Sequence, residues 1–213
     1  MKFSNKKWLT LIIFFSLISL LIISLIGPVM SNVEQPPYEI LAKKERIEFR
    51  QYQPMIIAKV VVSGTRENAL GNGFRLVADY IFGNNLAEQK IAMTAPVEQQ
   101  SIAQIKKSSA VQQKIKDDEW QINFVMPAQY NLKSLPKPKN QKVSLSKIPA
   151  KKYAALRFSG SNSSSNIAKH EKQLLAYLAE HNIAYQPPVK YAFYNPPWTL
   201  PFLRRNEVMV EIQ

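Results

Sequence analysis

His170 and His181 are the two imidazoles of this 213-residue chain, and it contains no cysteine. Placed on one helix at about 1.5 Å per residue, the two rings lie about 16 Å apart along the axis, too far to share a small metal ion or to clamp one iron between them. Each can still be read as a single axial ligand. The lack of cysteine excludes a thiol nucleophile, a disulfide framework, thiolate metal sites and covalent haem attachment through Cys-x-x-Cys-His. Glu45, Glu48, Asp79 and Glu207 could act as acids or bases, with Glu207 the first suspect, yet no local spacing joins any two of them. Neither a glycine-rich phosphate loop nor a nucleophile elbow is present, so enzymatic status stays open and a catalytic site is not expected. Arg204 and Arg205 form a pair whose guanidinium forks suit carboxylates or phosphates, or an internal partner such as Glu207 or Asp79.

The charge balance supports an anionic partner. Twenty-eight basic residues against 15 acidic ones give a formal charge of +13, which attracts lipid headgroups, nucleic acid or a carboxylate-bearing ligand. The cations are scattered and no recognition helix or zinc finger accompanies them, so no nucleic-acid partner is expected. Phe74, Phe82, Trp120, Phe124, Tyr191, Phe193, Tyr194, Trp198 and Phe202 would line a groove for a flat apolar ligand if several converged; they fit a core as readily.

Strands must position these groups. Tyr38 to Leu41 and Ile47 to Tyr52 alternate apolar and polar residues, and Met55 to Val62 is rich in β-branched ones, ending at Gly64. From the capping Thr65, residues Leu70, Phe74, Val77, Ala78 and Ile81 recur at helical spacing until Gly83-Asn84. Gly71 and Gly73 weaken that helix, so either it starts near Asn72 or another backbone passes close to its first turn. Ile91 to Val97 is a short apolar segment, Gln99 to Glu119 a polar loop or hairpin extension, and Trp120 to Met126 a strand. Val143 to Ile148 and Tyr153 to Ser159 read as strands, Ile167 to His181 as a second helix, and Tyr191 to Tyr194 and Glu207 to Ile212 as closing strands. Each half therefore runs strand, strand, helix, strand, strand. The fold class is α+β, and two such halves could pair their sheets into a curved or barrel-like eight-stranded assembly with one helix on each outer side.

The N-terminus suggests a location. Lys2, Lys6 and Lys7 precede an apolar run from Trp8 to Ile26. As a helix from Leu9 it would reach about 27 Å, close to the thickness of a bilayer core. The lysines would keep the N-terminus cytoplasmic and send the rest across. The expected organisation is a cytoplasmic stub and membrane anchor at 1–31, a tether at 32–37 and a folded domain at 38–213. The anchor would sit in the inner membrane through residues 8–26, with the domain on the periplasmic side. The alternative is a cleaved signal peptide and secretion, for which Val29 and Ser31 are a fair match.

Several ordered blocks resemble the SOUL haem-binding family, also called the haem-binding protein 1 family. They are YEIL and EFRQY between Tyr38 and Tyr52, YIFGNN with IAMTAPV between Tyr80 and Val97, and WQINFVMP from Trp120 to Pro127. LPKP from Leu135, RFSG from Arg157 and YNPPWTLPFLRRNEVMVEI from Tyr194 to Ile212 complete the set. The resemblance implies duplicated β-α-β-β halves forming a distorted eight-stranded antiparallel barrel with two main helices, and non-covalent binding of haem or a related tetrapyrrole in an apolar groove along the first helix. The matching groove residues are Phe74, Val77, Ala78 and Ile81 with Met93 nearby, while Arg204 and Arg205 are candidate contacts for the ligand's carboxylates. Family members share no one axial ligand, and no histidine precedes His170 here. Met93 or His170 are therefore the weak candidates for iron, and apolar packing is expected to do most of the holding. A binding module for other amphipathic small molecules, or an envelope protein-interaction domain without a ligand, are the alternative functions.

Overall fold

The structure, a computed structural model, describes residues 8–9, 11–16, 33–107 and 118–213. Nine strands are seen: β1 Tyr38–Lys44, β2 Ile47–Tyr52, β3 Met55–Ser63, β4 Val97–Ser101, β5 Glu119–Val125, β6 Ser144–Ile148, β7 Lys151–Phe158, β8 Tyr185–Phe193 and β9 Asn206–Ile212. Helix α1 spans Arg66–Ile81, α2 Ile102–Lys107 and α3 Ser164–Glu180, and a 3-10 turn covers Pro201–Leu203. The strands form one antiparallel sheet in the order β1-β2-β7-β9-β8-β4-β5-β3-β6.

The duplication is visible in the ladders. The two halves meet where β4 pairs with β8, and each lends a strand to the other. β2 pairs with β7 of the second half, while β6 pairs with β3 of the first. The exchanged ladders match residue for residue: Glu48 opposite Ala155 in one corresponds to Ser144 opposite Lys59 in the other. Gly64 and Gly160 end the equivalent strands β3 and β7 at φ +123° and +108°, a region that favours glycine. Thr65 and Ser163 then cap the two helices, each accepting the backbone N–H three residues on.

Alternation divides the side chains between two faces. On the helix-covered face, Val77, Tyr80 and Ile81 of α1 pack on Ala58, Val60, Ile122 and Phe124, and Leu174 and Leu178 of α3 pack on Ala154, Leu156, Val208 and Val210. On the opposite face, Tyr52, Tyr153, Ala155, Ala192, Tyr194 and Met209 cluster with Tyr38 and Met55. Residues 33–37 run against this second face. Glu34 bridges Thr94 and accepts from Ala95 N at 2.9 Å and Ala128 N at 2.6 Å, and Gln35 accepts from Arg205 at 3.1 Å.

Two expectations are corrected. The α+β class holds, but among the described residues the sheet has nine strands and no barrel closes. β1 adds a ninth strand, and it and β6 stand at opposite edges without pairing. The second correction concerns the membrane. Among the described residues no helix is long and apolar enough to cross a bilayer. Of the expected span, helix is described at 8–9 and 11–16, and residues 17–32 lie outside the described residues. The expectation rested on the length of the apolar run and the lysines before it, whereas the helix described there covers eight residues, short of the about 20 that a span needs. The membrane anchor, the bilayer as a partner, the inner-membrane attachment and the periplasmic placement are accordingly withdrawn.

The segment read as a loop from Gln99 also turns out structured. It begins as β4 and α2, and Gln99 is fully buried, donating to Arg66 O at 2.7 Å and accepting from its guanidinium at 3.2 Å. Residues 108–117 of that reading lie outside the described residues.

Candidate functional site

A cleft of about 490 Å3 opens at the end of the second half, between the β1–β2 turn, the end of β7 and the loop around the 3-10 turn. Its size falls within the range of about 300–1,000 Å3 usual for small-molecule sites. Lys43, Arg46, Arg157 and Arg204 supply positive charge, Glu45 and Glu48 negative charge, and Phe158, Phe202 and Leu203 the apolar surface.

Backbone bonds hold these walls together. Gly160 N donates to Pro201 O at 2.8 Å, joining the end of β7 to the 3-10 turn. Arg204 Nε donates to Thr199 O at 2.7 Å, its Nη2 reaches Pro197 O, and Arg204 N donates to Pro201 O at 3.1 Å. Asn195 Oδ1 accepts from Arg205 N at 2.6 Å. The loop is thus fixed at several points, yet it leaves Phe202 71% and Trp198 55% exposed. Apolar side chains presented on a fixed loop are what a binding surface needs.

The charges of the cleft are unequally committed. Glu48 accepts from Arg50 Nε at 2.9 Å and lies 3.3 Å from Lys43 Nζ. Partial burial works against its ionisation, but Arg50 and Lys43 outweigh that and hold its carboxyl below the ordinary range. Arg46 and Arg157 are exposed and have no carboxylate partner among the described residues. Arg204 is tied to the Thr199 and Pro197 carbonyls, so Arg46 and Arg157 are the more exposed guanidinium groups of the cleft and can meet an anion.

Beneath the cleft lies a closed network. Glu207 on β9 is fully buried and accepts from Arg50 at 2.7 and 3.0 Å, from Arg205 at 2.9 and 2.8 Å, and from the Tyr194 hydroxyl at 2.9 Å. Its burial opposes the charge, but the two arginines keep it ionised, its carboxyl below the ordinary range. Burial and the adjacent Glu207 push the Tyr194 phenol well up. Nearby, Lys190 Nζ is 3.1 Å from Glu98 and 3.4 Å from the Tyr153 hydroxyl. Both carboxylates are neutralised by internal cations, which removes Glu207 as a free acid or base.

The sequence-derived candidates separate. Val77, Ala78 and Ile81 are buried, while Phe74 is half-buried with its ring 5.5 Å from that of Phe124. Met93 is half-buried against the same cluster. None of the five borders the cleft. Arg204 lines it, whereas its neighbour Arg205 turns to Glu207 and stacks 3.7 Å over the Tyr194 ring. His170 is buried, donates from Nδ1 to Asn166 O at 2.7 Å, and stacks at 4.0 Å on Phe158, whose other surroundings include the cleft.

Lys43, Arg46, Arg157, Phe158 and Leu203 went unrecognised as site residues from the sequence. The signal available was the crowding of cations in KKER and RF near LPFLRR. What joins them is the exchanged ladder, in which Arg46 O accepts from Arg157 N at 3.3 Å. The equivalent place in the first half holds a smaller cleft, about 220 Å3, lined by Lys59, Val60, Val61, Lys142 and Ser144. By the ladder correspondence Val61 stands there where Arg157 stands in the second half, and Lys142 where Arg46 does. The duplicated scaffold has therefore been elaborated at one end.

Fold and site together define a duplicated α+β domain with a cationic, partly apolar cleft. The chain belongs to the SOUL family: the family model described as SOUL heme-binding protein matches residues 33–211. No curated protein sequence matches it. Among solved structures, the EcmrR C-terminal domain is similar at 9% identity, covering 83% of this chain and 98% of that one with a TM-score of 0.56. A hydrolase from Listeria innocua is similar at 10% identity over 81% of this chain and 94% of that one, TM-score 0.53. An uncharacterized conserved protein from the same organism is similar at 11% identity over 81% and 94%, TM-score 0.55. At such identities the likeness shows the fold alone.

Proposed function

We propose that this domain binds haem or a related tetrapyrrole without covalent attachment, in the cleft between the β1–β2 turn and the 3-10 turn. The observation that carries this reading is the pairing of an apolar wall, Phe202 and Leu203, with the unpartnered Arg46 and Arg157 in one opening of about 490 Å3. A tetrapyrrole offers a flat apolar face and carboxylates at one edge, and that combination fits such a wall and such cations. The family membership supports the ligand class. The cleft-lining residues include no histidine, methionine, cysteine or tyrosine, so packing and carboxylate pairing would do the holding, and iron would bring its own chemistry.

A haemin titration of the full chain, followed at the Soret band, tests the reading. Saturation at one haemin per chain is expected, with affinity falling about tenfold or more in Phe202→Asp and in Arg157→Glu, equivalent to at least ~1.4 kcal/mol each. Phe74→Asp serves as the arm for a groove along α1. If the Phe74 variant alone loses binding, the ligand sits on α1. If none of the three moves a non-stoichiometric signal, haemin is adhering to a basic surface and the proposal fails.

A further inference from the structure

Strand β1 stands at the edge of the sheet, with one side paired to β2 and the other meeting no strand among the described residues. An open edge is a template for another strand, and proteins usually blunt it. Here Glu39 through Lys44 are all exposed, with Ile40 at 49% and Leu41 at 47%. A bulge falls between Ile40 and Ala42, where β1 carries one residue more than β2.

The bulge changes which residues share a face. Glu39 pairs with Gln51, and beyond the bulge Lys44 pairs with Ile47, so both Glu39 and Lys44 lie on the helix-covered side. Ile40, opposite Arg50, and Lys43, opposite Glu48, lie on the other. Without the extra residue, Glu39 and Lys44 would point to opposite faces. Neither has an ion-pair partner among the described residues.

We propose that β1 is a homodimer interface, in which the edge strands of two copies pair antiparallel about a two-fold axis between Leu41 and Ala42. In that register Glu39 of each copy faces Lys44 of the other on the same side of the sheet. Ile40 lies against the aliphatic stem of Lys43, and Leu41 against Ala42. An isologous contact must be self-complementary, and this segment is so in both charge and apolar character. A parallel pairing would place like residues side by side, Glu39 near Glu39 and Lys43 near Lys43, and is disfavoured. The bulge therefore does more than protect the edge: it selects the one partner register in which the charges match.

A mixture of unlabelled and 15N-labelled full-length chain, treated with a zero-length carbodiimide and digested, tests this. The expected product is a Glu39–Lys44 isopeptide between an unlabelled and a labelled peptide. Within one chain the two residues are too far apart along the strand for such a link. Glu39→Lys should lower the yield about tenfold through two like-charge contacts, and the double variant Glu39→Lys/Lys44→Glu should restore a cross-link at the same two positions. The readout is positional, so association elsewhere in the chain leaves it unmoved. Absence of the mixed-isotope Glu39–Lys44 product, whether or not links fall at other sites, or a double variant that fails to recover it while its circular dichroism is unchanged, would overturn the proposal.

Discussion

Arg50 on β2 and Glu207 on β9 face each other with two hydrogen bonds, 2.7 and 3.0 Å, and side-chain exposures of 1% and 0%. β7 lies between their strands. Because β2 belongs in sequence to the first half and β9 to the second, this pair ties the halves together on the face without helices. Arg50 also has Glu48, so it retains a partner if Glu207 is lost, whereas Glu207 answers two arginines at once. Glu207→Leu is expected to cost about 3–5 kcal/mol in urea unfolding, the usual result of leaving buried charge unbalanced. Arg50→Met should cost less, since Arg205 remains on Glu207.

Acid should loosen the junction of the two helices. Glu67 in the first turn of α1 accepts from Ser164 N at 2.9 Å and Ser164 Oγ at 2.6 Å. The Ser164 hydroxyl is the main reason its carboxyl is pulled down to about 2, with Arg66 contributing, against an ordinary value of 4.5. A folded-state value below the unfolded one means that the stabilisation is complete above about pH 4.5 and is lost as pH falls toward 2. Carbon-13 NMR titration should place the Glu67 midpoint near 2, and Ser164→Ala should move it upward toward the ordinary range.

Gly71 and Gly73 predict opposite signs for the same substitution. A Cβ on Gly73 would lie 2.4 Å from Ile122 Cγ1 and 2.8 Å from its Cβ, while one on Gly71 would meet nothing within 4 Å. Gly71→Ala should stabilise by about 0.5–1 kcal/mol through helix propensity. Gly73→Ala should destabilise, because overpacking of about 1–3 kcal/mol exceeds that gain. Thermal unfolding of the two variants side by side separates the effects.

Salt should weaken the proposed ligand complex. Arg46 and Arg157 are exposed cations, and the screening length shrinks from about 10 Å at 0.1 M to about 3 Å at 1 M. Haemin affinity is expected to fall several-fold over that range, and the slope to flatten in Arg157→Ala. An equal slope in both proteins would mean that Arg157 does not meet the ligand.

Much of the fold could be read directly from residue patterns. Thr65 caps α1 as expected, and the alternation of Trp120, Ile122 and Phe124 put the right residues on the core face. The choice offered by Gly71 and Gly73 resolves to neither form: the helix begins at Arg66, Gly71 faces open space, and what approaches Gly73 is the Ile122 side chain and not a backbone. Pro187 and Pro188 hid the first part of β8, because proline has no N–H for a ladder; a register shift between Gln186 and Lys190 accommodates them. The site was less legible. Helical periodicity marks Val77 and Ile81 as apolar but does not say whether they face a groove or a sheet, and here they face the sheet. Arg46 and Arg157 are brought together by an exchanged strand, a long-range pairing that leaves no trace in local spacing.

The exchange of β2 and β6 means that the duplicated chain is not two modules joined by a connector. Cut between β5 and β6, each fragment would carry a strand whose ladder partner lies on the other fragment, together with an uncovered place in its own sheet. Neither piece could satisfy its backbone alone, yet the two would be complementary and could reassemble on mixing. The cleft, built on one of these exchanged ladders, exists only where both halves have contributed to it.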